Sequence, residues 1–206
     1  AKMARKSAPP RPQHSPEGIA LGRRSDALRQ KGDIDGALQG FSALEKLCRE
    51  NGDDVALHQS LEVQATLLIR ARRIDEALAK LEARVEVLRR IGDEENLVPT
   101  IGNIGMILAE KNRFGEAFAL FDEQERMLRQ QGNEKLLASS LVKQADFLRR
   151  KGQVEEAIRR AQAANVLFQK LGDEAGRGSV AGLLGALQMM RRGPRPGAIR
   201  VRPVPK

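Results

Sequence analysis

Few residues in this chain are of a type that does chemistry, and their spacing works against most reactions. One cysteine, Cys48, and two histidines, His14 and His58, are the only thiol and imidazole groups among 206 residues. A single thiol closes no internal disulfide and builds no thiolate zinc cluster. Two distant histidines fall short of most metal or triad chemistry. Gly176-Arg177-Gly178-Ser179-Val180-Ala181 fits a loose dinucleotide fingerprint. That turn needs a preceding strand, and the pattern before it is helical, so the small residues read as close helix packing. No phosphate-loop, paired-histidine zinc or nucleophile-elbow motif occurs. The acid pairs Glu94-Glu95 and Glu155-Glu156 fall at helix starts, where they complement the helix dipole. Cys48 occupies the register of Leu88, Leu128 and Phe168 and is expected to pack as a small apolar residue, with His58 solvated or half-buried on its helix. The expectation is a chain that is not an enzyme and needs no cofactor or metal.

Composition narrows the classes further. Hydrophobic residues are 41% and charged residues 31%, enough for a packed core with a well-solvated exterior. Aromatics are 3%, with no Trp or Tyr, which argues against an aromatic cage or a base-stacking platform. The net charge of +9 is concentrated at the ends. Residues 1–16 carry Lys2, Arg5, Lys6 and Arg11 and no acid, and residues 191–206 carry Arg191, Arg192, Arg195, Arg200, Arg202 and Lys206 and no acid. Between them, 26 basic residues balance 27 acidic ones, so no basic stripe is implied for the body. No apolar signal core follows the basic start, and the longest uncharged stretches are shorter than the ~18–20 residues of a spanning helix. A cytoplasmic location is the expectation. The chain starts with alanine, which fits an excised part of something longer.

What positions these residues is a repeat. Ala37, Ala77, Ala117 and Ala157 step by 40; so do Gly52-Asp53, Gly92-Asp93, Gly132-Asn133 and Gly172-Asp173, and so do Leu28, Leu68, Leu108 and Leu148. Between these marks the apolar spacing is helical, as in Leu57, Leu61, Ala65 and Leu68. The Gly-Asp and Gly-Asn pairs supply a left-handed stop followed by an N-cap. Each unit is therefore a pair of antiparallel helices, A and B. The A helices are expected near 18–31, 53–71, 93–111, 133–151 and 173–191, and the B helices near 34–50, 74–90, 114–131 and 154–171. One pair cannot bury its apolar face, whereas stacked neighbours can.

These residues resemble the tetratricopeptide repeats. Small residues stand midway along helix A (Ala65, Gly105, Ala145, Gly185), with Leu61, Ile101 and Leu141 four positions earlier. Alanines stand early in helix B, followed four positions later by Phe41, Leu81, Phe121 and Ala161. The resemblance covers about residues 18–190. It departs from the family in lacking its Trp, Tyr and helix-ending proline, and in a 40-residue rather than 34-residue unit, which is similar to the kinesin light chain and cell-polarity scaffold repeats and to the peptide-sensing regulators of bacteria. It implies an all-α, right-handed α-solenoid of about four and a half helix pairs, acting as a non-catalytic scaffold whose concave A-helix surface binds a protein or peptide.

Carried over by register, that surface takes Gln59, Glu62, Thr66 and Arg70 from the second A helix, Gly102, Met106 and Glu110 from the third, and Val142, Asp146 and Arg149 from the fourth. The family's carboxylate clamp is missing, because Glu62, Gly102, Val142, Thr66, Met106 and Asp146 stand at its places. The last A helix is heavily apolar. Leu183, Leu187, Met189 and Met190 are expected to contribute to a patch that contacts a missing domain, a second copy (giving a homo-oligomer) or a folded-back tail. Pro194 and Pro196 stand where a fifth B helix would run, so none is expected past Gly193. The expected organisation is a Pro-rich basic tail at 1–16, a repeat domain at 17–191 and a second such tail at 192–206, both tails disordered. The alternative function is polyanion binding, to nucleic acid or an anionic membrane, through those tails with the solenoid as spacer.

Overall fold

A computed structural model describes residues 15–192; the expectations for the two tails fall, apart from Ser15, Pro16 and Arg192, outside the described residues. The described residues hold nine α-helices and no strand. In chain order they are α1 (Pro16–Gln30), α2 (Ile34–Asn51), α3 (Asp54–Arg70), α4 (Ile74–Ile91), α5 (Glu94–Glu110), α6 (Phe114–Gln130), α7 (Glu134–Arg150), α8 (Val154–Leu171) and α9 (Glu174–Arg192). Odd-numbered helices are the A helices of the repeat and even-numbered ones the B helices, each within a residue or two of its expected range.

The turns explain the regularity. After each of α2, α4, α6 and α8 a glycine adopts a left-handed backbone, with φ of 67°, 70°, 65° and 67° at Gly52, Gly92, Gly132 and Gly172. The next side chain caps the following helix: Asp53 accepts from the Ala56 N–H, Asp93 from Asn96, Asn133 from Leu136 and Asp173 from Gly176. The turns from A to B also need a left-handed residue, at positions 32, 72, 112 and 152. Glycine fills two of them, but Arg72 (φ 62°) and Asn112 (φ 60°) fill the others. These turns leave two or three residues between helices, which forces sequential helices to pack side by side and antiparallel.

The chain divides into two compact units, residues up to Thr100 and residues from Ile101 onward. In the first, α2 packs on α1 and α3, and α3 on α4. Its core joins Ala37, Phe41, Leu44 and Cys48 of α2 to Leu57, Leu61 and Leu67 of α3 and Val87 of α4. In the second, α7 packs on α6 and α8, and α9 packs on α8. Phe121, Leu128, Leu137, Leu141 and Leu148 are sealed from solvent there, as is Leu187 of α9. Truncating any of these leucines to alanine removes about 2–5 kcal/mol. The small residues expected midway along helix A allow close contact: a Cβ on Gly105 would stand 2.5 Å from the Phe121 ring.

Candidate functional site

In the first unit, α1, α2 and α3 enclose a cleft of about 250 Å³. Leu44, Leu47 and Cys48 of α2 line it together with Phe41; Ile19 comes from α1, and Ala56 and Val63 from α3. Gly18 and Gly22, one helical turn apart on α1, keep that wall low, and Ile19 between them is 44% exposed. Polar lining groups are Ser15, Asp26, Asn51 and Gln59, with Ser60 buried in the wall and the Asp53 cap at one end. An apolar cavity edged by a few polar groups is what a peptide side chain needs to anchor. Gln59 is the one expected binding residue that lines it. The α1 residues were not anticipated, although the Gly18 to Gly22 spacing was available as a signal of a shallow helix face.

The walls are braced from behind. The Phe41 carbonyl accepts hydrogen bonds from the Ser60 hydroxyl at 3.0 Å and the Gln64 amide at 3.3 Å, all buried. Gln64 also donates to Glu45, and Lys80 reaches the same carboxylate at 2.6 Å. Burial pushes the Glu45 carboxyl up, but the hydrogen bonds from Lys80, Gln64 and Arg49 outweigh it, so Glu45 stays ionised below the ordinary carboxylate range. The Cys48 thiol is pushed up to about 11, first by burial and then by the charges of Asp53 and Glu45. It lines the cleft as a neutral, apolar group and not as a nucleophile, in keeping with its register.

The second cluster in this unit departs from expectation. His58 is only 5% exposed, a correction to its reading as solvated or half-buried, because α3 turns it inward toward Arg84 of α4 and Asp93. Its Nδ1 has no partner among the described residues, and Nε2 lies 4.0 Å from Asp93 Oδ2. Burial, then the Arg84 charge, lowers its pKa. Arg84, 3% exposed, donates to Thr100 Oγ1 at 2.9 Å and to Glu62 at 2.8 Å, while its Nε is unmatched. Glu62 is thus committed to a buried cation. Thr66 donates its hydroxyl back to the Glu62 carbonyl, and Arg70 is exposed at the end of α3.

In the second unit the expected residues are also largely committed to neighbours. Asp146 pairs with Arg149 at 2.8 Å and with Arg150 at 3.3 Å, and Glu110 pairs with Lys151 at 3.2 Å. Met106 and Val142 are half-buried. Gly102 is buried with its Cα against the Gln124 side chain, where a Cβ would meet Nε2 at 2.2 Å. It is a packing residue and offers no side chain to a ligand. Leu187 is likewise sealed at 0% exposure, so it belongs to the core and not to a contact patch; Leu183 is half-buried, and Met189 and Met190 stand at 76% and 43%. On the B side of this unit Arg160 is buried among Asp122, Glu125 and Glu156. Burial works against its charge, but the bonds from Asp122 and Glu156 prevail and raise its pKa. Among the described residues no group of three His, Cys, Asp or Glu could hold a metal, and no helix is long and apolar enough to cross a membrane.

No family model and no curated protein matches the sequence. Solved structures do match the fold. A kinesin light chain candidate from Podosopora anserina with nearly identical TPR-like repeats superposes with a TM-score of 0.68 at 13% identity, over 87% of this chain and 89% of that one. Its fold is tetratricopeptide-like. The tetratricopeptide-sensor STAND ATPase of Pyrococcus horikoshii gives a TM-score of 0.67 at 15% identity, over 82% of this chain but 26% of that protein's. BtubC (BKLC) from P. vanneervenii gives 0.60 at 15% identity, covering 91% and 86%. The all-α helical-repeat class expected from the 40-residue period is the class these structures share.

Proposed function

We propose that this protein is a non-catalytic interaction module that binds a peptide segment of a partner protein on the exposed faces of its A helices. The observation that carries the reading is the cleft between α1, α2 and α3, an apolar hollow of about 250 Å³. Its walls belong to packed helices, and a seat on rigid elements loses little ordering entropy when a partner docks. Its size suits one branched or aromatic side chain, with Asp26 and Gln59 placed to orient the flanking backbone or a basic neighbour. Tetratricopeptide-like neighbours such as the sensor-bearing STAND ATPase support a binding role in general. Gln59, Glu62, Thr66 and Arg70 are the positions proposed to meet the ligand in the first unit; Met106, Glu110, Val142, Asp146 and Arg149 are proposed for the second.

The test is a selection of random 12-residue peptides on the full chain, followed by titration of the enriched peptide. Enrichment of a motif with one apolar anchor, bound with micromolar affinity and weakened at least tenfold by Gly22→Leu, is the expected result. Gly22 tolerates the longer side chain sterically, since its Cβ would meet only Leu44 at 3.7 Å. Binding indifferent to that substitution would move the site elsewhere, and no enrichment at all would refute the reading.

A further inference from the structure

The division between the two compact units falls inside a helix, between Thr100 and Ile101 of α5. The sequence of α5 is weakest at that place. Residues 98–105 read Val, Pro, Thr, Ile, Gly, Asn, Ile, Gly, without one strong helix former. The same positions of α3 hold Gln59, Leu61, Glu62, Gln64 and Ala65, and those of α7 hold Ala138, Leu141, Lys143, Gln144 and Ala145. Pro99 lies in the interior of α5, in its second turn. It has no N–H for the Glu95 carbonyl, and its ring crowds that same carbonyl. At this register the other A helices carry Ile19, Gln59, Ser139 and Ser179.

The two ends of α5 are held firmly, each by its own unit. On the first unit's side the Asp93 carboxylate accepts from the Asn96 N–H at 3.1 Å, and Leu97 and Val98 are buried. Arg84 of α4 donates to Thr100 Oγ1 at 2.9 Å, and that hydroxyl donates to the Asn96 carbonyl at 2.7 Å. A hydroxyl bonded back to the preceding turn weakens a helix and bends it. On the second unit's side Gly102 lies against Gln124 and Gly105 against the Phe121 ring, with Leu108 and Ala109 buried beyond them. Close contact with α6 accounts for the two glycines. Pro99 is exposed, so packing does not account for the proline.

From this placement we infer that α5 is a conformational hinge: its turn at residues 99–102 opens locally while both units stay folded, and each unit unfolds in a transition of its own. The opening is confined to the stretch where the ladder already lacks a bond and where glycine and proline favour other backbone conformations. Anchors on both sides keep it from spreading along the helix. A ligand bound to one unit then stabilises that unit and leaves the other as it was. The hinge does not depend on whether the cleft of the first unit takes a peptide.

Native-state hydrogen exchange on the full chain, joined to a urea titration followed by methyl spectra, tests the hinge. After correction for intrinsic rates, the amides of Gly102 and Asn103 are expected to exchange roughly a hundredfold faster than those of Ala65 and Ala145, with little dependence on dilute urea. Leu57 and Val87 report the first unit, and Leu141 and Leu148 the second. The two pairs are expected to lose their native signals at separate urea midpoints. Pro99→Ala removes no buried group. It is expected to slow exchange at Gly102 and Asn103 at least tenfold and to draw the two midpoints together. Three results overturn the inference: Gly102 and Asn103 as well protected as Ala65 and Ala145, one midpoint shared by all the methyl probes, or midpoints that stay equally far apart in Pro99→Ala.

Discussion

The same substitution at two register-equivalent glycines has opposite expected effects. Gly105→Ala and Gly185→Ala each replace a mid-helix glycine, and each gains roughly 0.8–1 kcal/mol of helix propensity. At Gly185 nothing stands within 4 Å of the new methyl, so the gain is kept. At Gly105 the methyl would lie 2.5 Å from Phe121 Cε1 and 2.8 Å from Cδ1. Phe121 is fully buried and its ring cannot swing into solvent, so the overpacking cost of about 1–3 kcal/mol applies. Gly105→Ala is then neutral to destabilising by up to about 2 kcal/mol, and the two variants differ by about 1–3 kcal/mol. At roughly 2–4 °C per kcal/mol for a chain of this size, paired thermal melts by circular dichroism resolve the difference. Equal shifts in the same direction would refute the argument that close approach of α6 is what the α5 glycine serves.

Three further outcomes follow from the packing. Arg72→Gly, at a left-handed turn position with φ 62°, should raise stability by about 1 kcal/mol, whereas Gly32→Arg at its counterpart should lower it by about as much; urea titrations of both check this. His58 has a folded pKa below its ordinary 6.5, so between those values the unfolded chain binds a proton that the folded chain refuses. Its contribution is intact above about pH 6.5 and is lost as the pH falls below it, with Arg84, Asp93 and Glu62 the charged groups facing the ring. His58→Leu should therefore narrow the stability loss between pH 7.5 and 5.5, and an unchanged loss would contradict the account. Arg84→Met should be neutral or stabilising, because it removes a buried cation whose Nε is unmatched, whereas Glu62→Ala should destabilise by about 1–3 kcal/mol by leaving that cation with the neutral Thr100 and Asn96 and only the unbonded Asp93 charge.

The helices and their punctuation were legible because one signal repeats. A 40-residue step in Ala, Gly-Asp and Leu positions locates every turn and sets the helix lengths, and the Gly-Asp pairs do adopt the stop-and-cap geometry that their residue types imply. The polar interior was hidden for the converse reason. Apolar periodicity marks core positions and passes over Arg84, Arg160 and Gln64, which partners on neighbouring helices meet, and over His58, which packs beside Arg84 and Asp93. Ser60 and Gln64 recur as Ser140 and Gln144, a step of 80 that a 40-residue reading does not notice. Gly102 was misplaced because register names a helix face, while only the neighbouring Gln124 shows that the face is occupied. The α1 wall of the cleft escaped for a similar reason: the binding surface was carried over from the second to the fourth A helices and left out the first.

The central claim is that a partner's peptide anchors in the cleft between α1, α2 and α3. Methyl-labelled spectra of the full chain, recorded as the selected peptide is titrated in, test it most directly. The account predicts saturating shifts on the methyls of Ile19, Leu44, Leu47 and Val63, which line the cleft, with Ile158 and Leu128 of the second unit unmoved. Saturating shifts confined to the second unit, with Ile19 and Val63 silent, would contradict it.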